Sequence, residues 1–272
     1  MTIGRPSLRH LFLIPFSLLM AVPLIWMLIT SIQTPDEALQ FPPVLIPSGI
    51  DWHNYTTAVS QAPFGHWYIN SVLVTAVVVV SNLILCSLAA YAFARLKFFG
   101  SNVLFVLLLA TLMVPFQVLL IPTFLIVRQL GLIDNIAALM LPNLASAFGI
   151  FMLRQFFRTL PVELEEAARI DGCSRLGVLI KIVLPLSWPA LTTLGLITLL
   201  WTWNDFLWPL VAINSQNNMT LQVGLSTFQS AHQNHWTVLM AGNVLALVPM
   251  IAAFILTQRS FVRSIASSGL KG

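Results

Sequence analysis

YINSVLVTAVVVVSNLILCSLAAYAFA, residues 68–94, contains no charged side chain. A helix rises about 1.5 Å per residue, so this run is long enough to cross a hydrocarbon core about 30 Å thick. A run of that length and neutrality reads as a membrane span. The composition agrees: 58% of the 272 residues are hydrophobic, 8% are charged, and the mean hydropathy is +0.88. Soluble domains carry about 25% charged residues.

Five further stretches pass the same test: Leu11–Ile32, Val103–Val127, Ile136–Phe157, Ile180–Ile213 and Trp236–Gln258. The fifth of the six in chain order, Ile180–Ile213, would reach roughly 50 Å as one straight helix. It therefore begins outside the membrane, or tilts and kinks at Pro185, Pro189 and Pro209. Leu11–Ile32 follows Arg5, Arg9 and His10, but no small-residue cleavage pattern follows it in SIQTPDEALQ, so it reads as a retained first helix.

The basic residues orient these spans. With the N-terminus inside, 12 of the 13 bases fall on the cytoplasmic side, leaving Arg128 outside. The outer segments carry Asp36, Glu37, Asp51 and Asp134. Both termini are thus expected in the cytoplasm. The net charge of +4 is accounted for by anchoring and implies no nucleic-acid partner. Cys86 and Cys173 are not placed for an exported disulfide, and His232 and His235 (an HxxH pair) read as a solvated loop.

The charge is concentrated in one window, ELEEAARIDGCSRLGVLIKIVLP, which holds four acids and three bases between Glu163 and Pro185. It reads as two short helices with a corner. Pro161 suits a first helical turn, and Glu163, Glu165 and Glu166 favour its positive end. Glu165 and Arg169 have i,i+4 spacing. Gly172 sits at a left-handed C-cap position, and Ser174 caps a second helix leading into the fifth span. Leu160, Leu164 and Ala167/Ala168 form an apolar stripe with small residues at its centre. That stripe suits docking into a partner's cleft; the alternative is an amphipathic loop on the inner leaflet.

Glu166-Ala167-Ala168, Gly172, Ile182 and Leu184-Pro185 stand at the spacing of the EAA loop of ABC importer permeases. EAARIDG, with Asp171, most resembles the sugar-importer branch and the second permease subunit of maltose-type systems. MVPFQVLLIPTF (Met113–Phe124), LGLIDNIAALMLP (Leu130–Pro142), WNDFLWPL (Trp203–Leu210), the terminal SSGLKG and LIPSGIDWHNY are similar to other stretches of that subunit. The resemblance implies one all-α membrane domain over residues 1–272, with six transmembrane helices and a cytoplasmic coupling (EAA) helix, the loop at about 158–185, between the fourth and fifth spans. It implies that Glu166, Ala167, Ala168, Asp171, Gly172, Ile182, Leu184 and Pro185 couple the chain to a cytoplasmic ATPase. The tail residues Gly269, Lys271 and Gly272 are expected to reach toward that ATPase. The implied partners are a second, non-identical permease, two ATPase subunits, an extracytoplasmic solute-binding protein and membrane lipid, in a bacterial-type cell membrane.

No phosphate loop, HExxH, GxSxG or CxxC occurs in the chain, so it is expected to bind no cofactor and to be no enzyme by itself; ATP and Mg would belong to the ATPase subunits. The alternative is a secondary carrier driven by an ion gradient, which would bury titratable groups near mid-membrane. Asp205 is the one acid inside a predicted span. Either Asn204 and Asp205 line a translocation path for polyol hydroxyls, or Asp205 bonds a neighbouring helix near the outer end of the fifth span, with Trp203 and Trp208 in the aromatic belt. The second reading is the preferred expectation. Pro115, Pro122 and Pro142 mark kinks, hinges or both.

Overall fold

The computed structural model describes the backbone of Leu8–Ala231 and Trp236–Gly269, with side chains over 13–227 and 236–258. His232, His235, Lys271 and Gly272 lie outside the described residues, and Gly269 is described in its backbone alone. The described secondary structure is entirely helical. The described residues fall into two compact units. One runs to Gly65 and takes in Gly224–Val248; the other spans His66–Val223 and continues from Pro249.

In the first unit, the long apolar helix α1 (Leu8–Ser31) leads into a polar knot. Thr34 caps the short helix α2 (Pro35–Ala38) in a reciprocal capping box with Glu37. Glu37 also accepts the Ser48 N–H at 2.8 Å. These bonds, those from Ser48 foremost, hold its carboxyl down at about 2. Helix α3 (His53–Ser60) contributes Asn54, whose buried amide donates to the carbonyls of Ser31 and Gln33. The Gln33 amide in turn donates to the Val44 carbonyl at 2.6 Å. The Asn54 and Gln33 amides thus tie the LIPSGIDWHNY segment and the residue before it to the end of α1, satisfying carbonyls that would otherwise lack partners.

The second unit is built on α4 (Phe64–Arg95), a helix of 32 residues and about 48 Å. The expected third span is not one helix. It is α5 (Ser101–Thr111) and α6 (Phe116–Gln129), bent by 102° at the intervening break. Pro115 there holds an extended backbone and restricts Val114, so the helix cannot run through. The expected fourth span holds α7 (Ile136–Met140), a 3₁₀ turn at Leu141–Asn143 containing Pro142, and α8 (Ala147–Phe157), capped by Ser146.

After α9 (Val162–Ile170), the chain turns at Gly172, whose φ of +87° is the left-handed conformation glycine adopts without strain. Ser174 caps α10 (Arg175–Val178), which passes through a π-helical stretch at Leu179–Val183 into α11 (Leu184–Leu186). The π turn sits where Pro185 removes an N–H and crowds the carbonyl four residues back. A bend of 81° then separates Arg175–Leu186 from α12 (Trp188–Trp203). Ser187 lies at that bend, between Pro185 and Pro189, so two of the three prolines expected to kink this span flank it. Pro209 instead lies inside a later helix, and the second break falls ahead of it at Asn204–Phe206. Helices α13 (Leu207–Ala212), α14 (Leu221–Ala231) and α15 (Trp236–Gly269) complete the order. Among the described residues, four helices are long and apolar enough to cross a membrane, or up to six if each bent pair is one span.

Polar clasps tie the two ends of α4 to different loops. At its start, Trp67 and Asn70 donate to the carbonyls of Gln216, Asn217 and Met219. The loop beyond α13 is also held by Asp134, whose Oδ1 accepts from the Asn214 N–H, the Ser215 N–H and the Ser215 hydroxyl at 2.8–3.0 Å. Those bonds, the Ser215 N–H foremost, hold the Asp134 carboxyl below the usual range. At its far end, α4 meets the charged window.

Candidate functional site

Helix α9 carries the charge that the sequence concentrates at Glu163–Lys181. Its inner side is set by Glu165, which is 7% exposed. Glu165 does not pair with Arg169, as its spacing suggested. Its Oε1 accepts from Arg95 Nε at 2.6 Å, and its Oε2 accepts from the Tyr91 hydroxyl at 3.3 Å. Arg95 also donates to the Leu160 carbonyl at 2.7 Å. A surface i,i+4 pair contributes a few tenths of a kcal/mol, whereas a buried carboxylate needs its charge and lone pairs matched. Burial therefore decides the partner, and Glu165 turns inward to the end of α4. Arg95 and Tyr91 escaped the sequence reading because they lie about 70 residues away from Glu165. The available signal was Arg95 itself, the first charge after the uncharged run at 68–94.

Ala168 also faces inward. It is 8% exposed and packs with Tyr91, Leu153, Phe157, Val178 and Leu179. The expected outward stripe is therefore divided: Ala168 serves the chain's own core, while Leu164 and Ala167 are exposed. Ile182 and Leu184 pack against the same core, leaving Glu166, Asp171, Gly172 and Pro185 at the surface. Ile170, at 87% exposure, extends the outward apolar face beyond the expected stripe. Helix α9 is thus clamped on one side and open on the other.

The second candidate region is a half-open cavity of about 620 Å³ in the second unit. Asn204 and Asp205 both line it, with Asn82 of α4, Asn143 and Ser146. The Asp205 carboxylate accepts the Trp208 N–H at 3.4 Å, a bond to the start of α13 in its own turn and not to a neighbouring helix. Trp203 and Trp208 are 4% and 1% exposed, which removes them from any aromatic belt. The Trp208 indole donates to the Ala138 carbonyl at 3.0 Å, and Trp203 meets Tyr68 edge-on. The short segment Asn204–Phe206 separates α12 from α13, which places the Asn204 and Asp205 side chains at a break in the helix.

Comparison with known proteins matches residues 82–267 to the family described as the binding-protein-dependent transport system inner membrane component. The chain is 36% identical to the arabinooligosaccharides transport system permease protein AraQ of Halalkalibacterium halodurans, over 98% of each chain. It is 35% identical to the sn-glycerol-3-phosphate transport system permease protein UgpE of Yersinia enterocolitica, over 97% of each. Its structure superimposes with a TM-score of 0.82 and 28% identity on a chain of a bacterial ABC transporter involved in the import of the acidic polysaccharide alginate, covering 93% of this chain and 95% of that one.

Proposed function

The chain belongs to the family of binding-protein-dependent transport system inner membrane components, and on that premise we propose that it forms one half of the pore of an ATP-driven sugar importer. The observation that carries this reading is α9, a charged helix anchored inward by Glu165 on Arg95 and presenting Glu166, Ala167 and Ile170 outward. An exposed apolar face on a charged helix suits a protein partner. In this reading the partner is a cytoplasmic ATPase, and Glu166, Ala167, Asp171 and Gly172 form the contact. Ala168, Ile182, Leu184 and Pro185 connect that contact to the helices behind it. The tail residues Gly269, Lys271 and Gly272 approach the same ATPase.

The two bent pairs each count as one span, giving six, with both termini in the cytoplasm. A second, non-identical permease completes the pore, and an extracytoplasmic binding protein delivers solute to the outer loops. Nucleotide binding closes two ATPase subunits and pulls α9. The Arg95–Glu165 clamp passes that movement to α4, and the pore changes its facing. ATP and Mg act on the ATPase subunits, and this chain performs no chemistry. The cargo is a sugar or sugar-like solute, as the names of the relatives indicate for those proteins.

The test is co-purification from mild detergent with mass identification of the partners. Ala167→Arg places a bulky charge on the outward face and is expected to remove the ATPase while keeping the second permease. Retention of the ATPase by Ala167→Arg would exclude α9 as the docking element. Purification of the unmodified chain alone would exclude the importer reading.

A further inference from the structure

The polar groups around the 620 Å³ cavity are not evenly divided between donors and acceptors. The Asn82 amide donates to the carbonyls of Val78 and Asn143 at 3.1 and 2.7 Å. The Asn143 amide donates to the Leu139 carbonyl at 3.1 Å, and the Asn204 amide to the Leu200 carbonyl at 2.8 Å. In all three a backbone carbonyl fixes the side of the amide nitrogen, so the amide oxygens are left as the remaining capacity. The Asn82 oxygen takes the Cys86 thiol at 3.5 Å. Among the described residues the Asn143 and Asn204 oxygens accept no hydrogen bond, and Asp205 adds two carboxyl oxygens, one of which receives the Trp208 N–H.

Among the described residues, Asp205 is the one charged residue in the lining, and no lysine, arginine or histidine joins it. Hydroxyls of Ser146, Thr198 and Thr202 are the lining's flexible donors, and Phe116 and Trp201 supply apolar faces. The phosphate or carboxylate group of an anionic solute brings negative charge and acceptor oxygens, and would meet the Asp205 carboxylate and further acceptors here. A neutral polyol brings hydroxyl donors that match them, and its C–H faces suit the two aromatic rings.

We propose that this cavity is a solute site selective for neutral polyhydroxylated molecules and closed to anions, through the acceptor oxygens of Asn143, Asn204 and Asp205. The proposal rests on the importer reading for its cargo, but the charge selectivity of the cavity is measurable without it. The experiment uses the full chain in its native membranes, in a Cys86→Ala/Cys173→Ala background. Single cysteines Asn204→Cys and Thr202→Cys are labelled with cationic and anionic methanethiosulfonates of similar size. Asn217→Cys, on an exposed loop, sets the reference ratio of the two rates.

The expected cation-over-anion ratio in the cavity is roughly tenfold above that reference, and it falls toward the reference when Asp205→Asn is added. A ratio equal to or below the reference overturns the proposal. So does a failure of both cysteines to react with either reagent, since the cavity would then admit no solute. ATP-driven uptake of sn-glycerol 3-phosphate that depends on this chain would also overturn it, while leaving the importer reading intact. The absence of any co-purifying ATPase defeats the importer reading instead, and the labelling ratio still decides the charge selectivity.

Discussion

Arg95 and Glu165 are each about one-tenth exposed at the side chain, and they form the one ion pair among the described residues. Taking one partner from a buried pair leaves an uncompensated charge, at a cost of about 3–5 kcal/mol, whereas replacing both with apolar groups is often neutral. Arg95→Met is therefore expected to lower the unfolding temperature of the purified importer, and Arg95→Met/Glu165→Met to restore it. The clamp reading adds a second expectation. The restored double variant is still expected to show reduced uptake at unchanged ATP hydrolysis, because α9 would no longer be tied to α4. Normal uptake in that variant would show the pair to be structural only. This partnership was not legible in the sequence: i,i+4 spacing pointed Glu165 at Arg169, and only burial reassigns it. Gly172 and Ser174 were legible, because a left-handed corner and an N-cap are decided locally.

At the scale of elements, side chains of α4 and α12 close around Gly149, a buried glycine of α8. A Cβ there would lie 2.8 Å from Ser146 Oγ, 2.9 Å from Cys86 Sγ and 3.1 Å from Leu194 Cδ1. Neighbours on three sides crowd the extra carbon, so the Ser146 hydroxyl, the Cys86 thiol and the Leu194 methyl must shift to admit it. Gly149→Ala is expected to cost about 1–3 kcal/mol, as overpacking of a close-packed core does. The check is the thermal unfolding midpoint of the purified complex, and an unchanged midpoint would show that α8 shifts freely. The helices themselves were largely readable from hydropathy, because length and neutrality are properties of the run. The bends were readable only in part. Proline marked both sites, but nothing local sets an angle of 102° at Leu112–Pro115 or 81° at Ser187. Such angles depend on what each half packs against.

At the scale of the molecule, α4 is about 48 Å long against a hydrocarbon core of about 30 Å, so its two ends lie on opposite faces of the membrane. Its first turns hold Gln216–Met219 through Trp67 and Asn70, and its last turn holds Leu160 and Glu165 through Arg95. The loops at 214–219 and 158–172 must therefore be exposed to opposite compartments, whichever way the chain is inserted. The charge bias then gives the expected direction, with Arg95, Lys97, Arg158, Arg169 and Arg175 at the α9 end expected to face the cytoplasm. In intact cells carrying a Cys173→Ala background, Asn217→Cys is expected to react with a membrane-impermeant maleimide. Ile170→Cys is expected to react only after the membrane is opened. Reaction of both from outside would break the opposition that α4 imposes, and with it the six-span count. Reaction of Ile170→Cys alone would keep the count and invert the chain, placing α9 where no cytoplasmic ATPase can reach it.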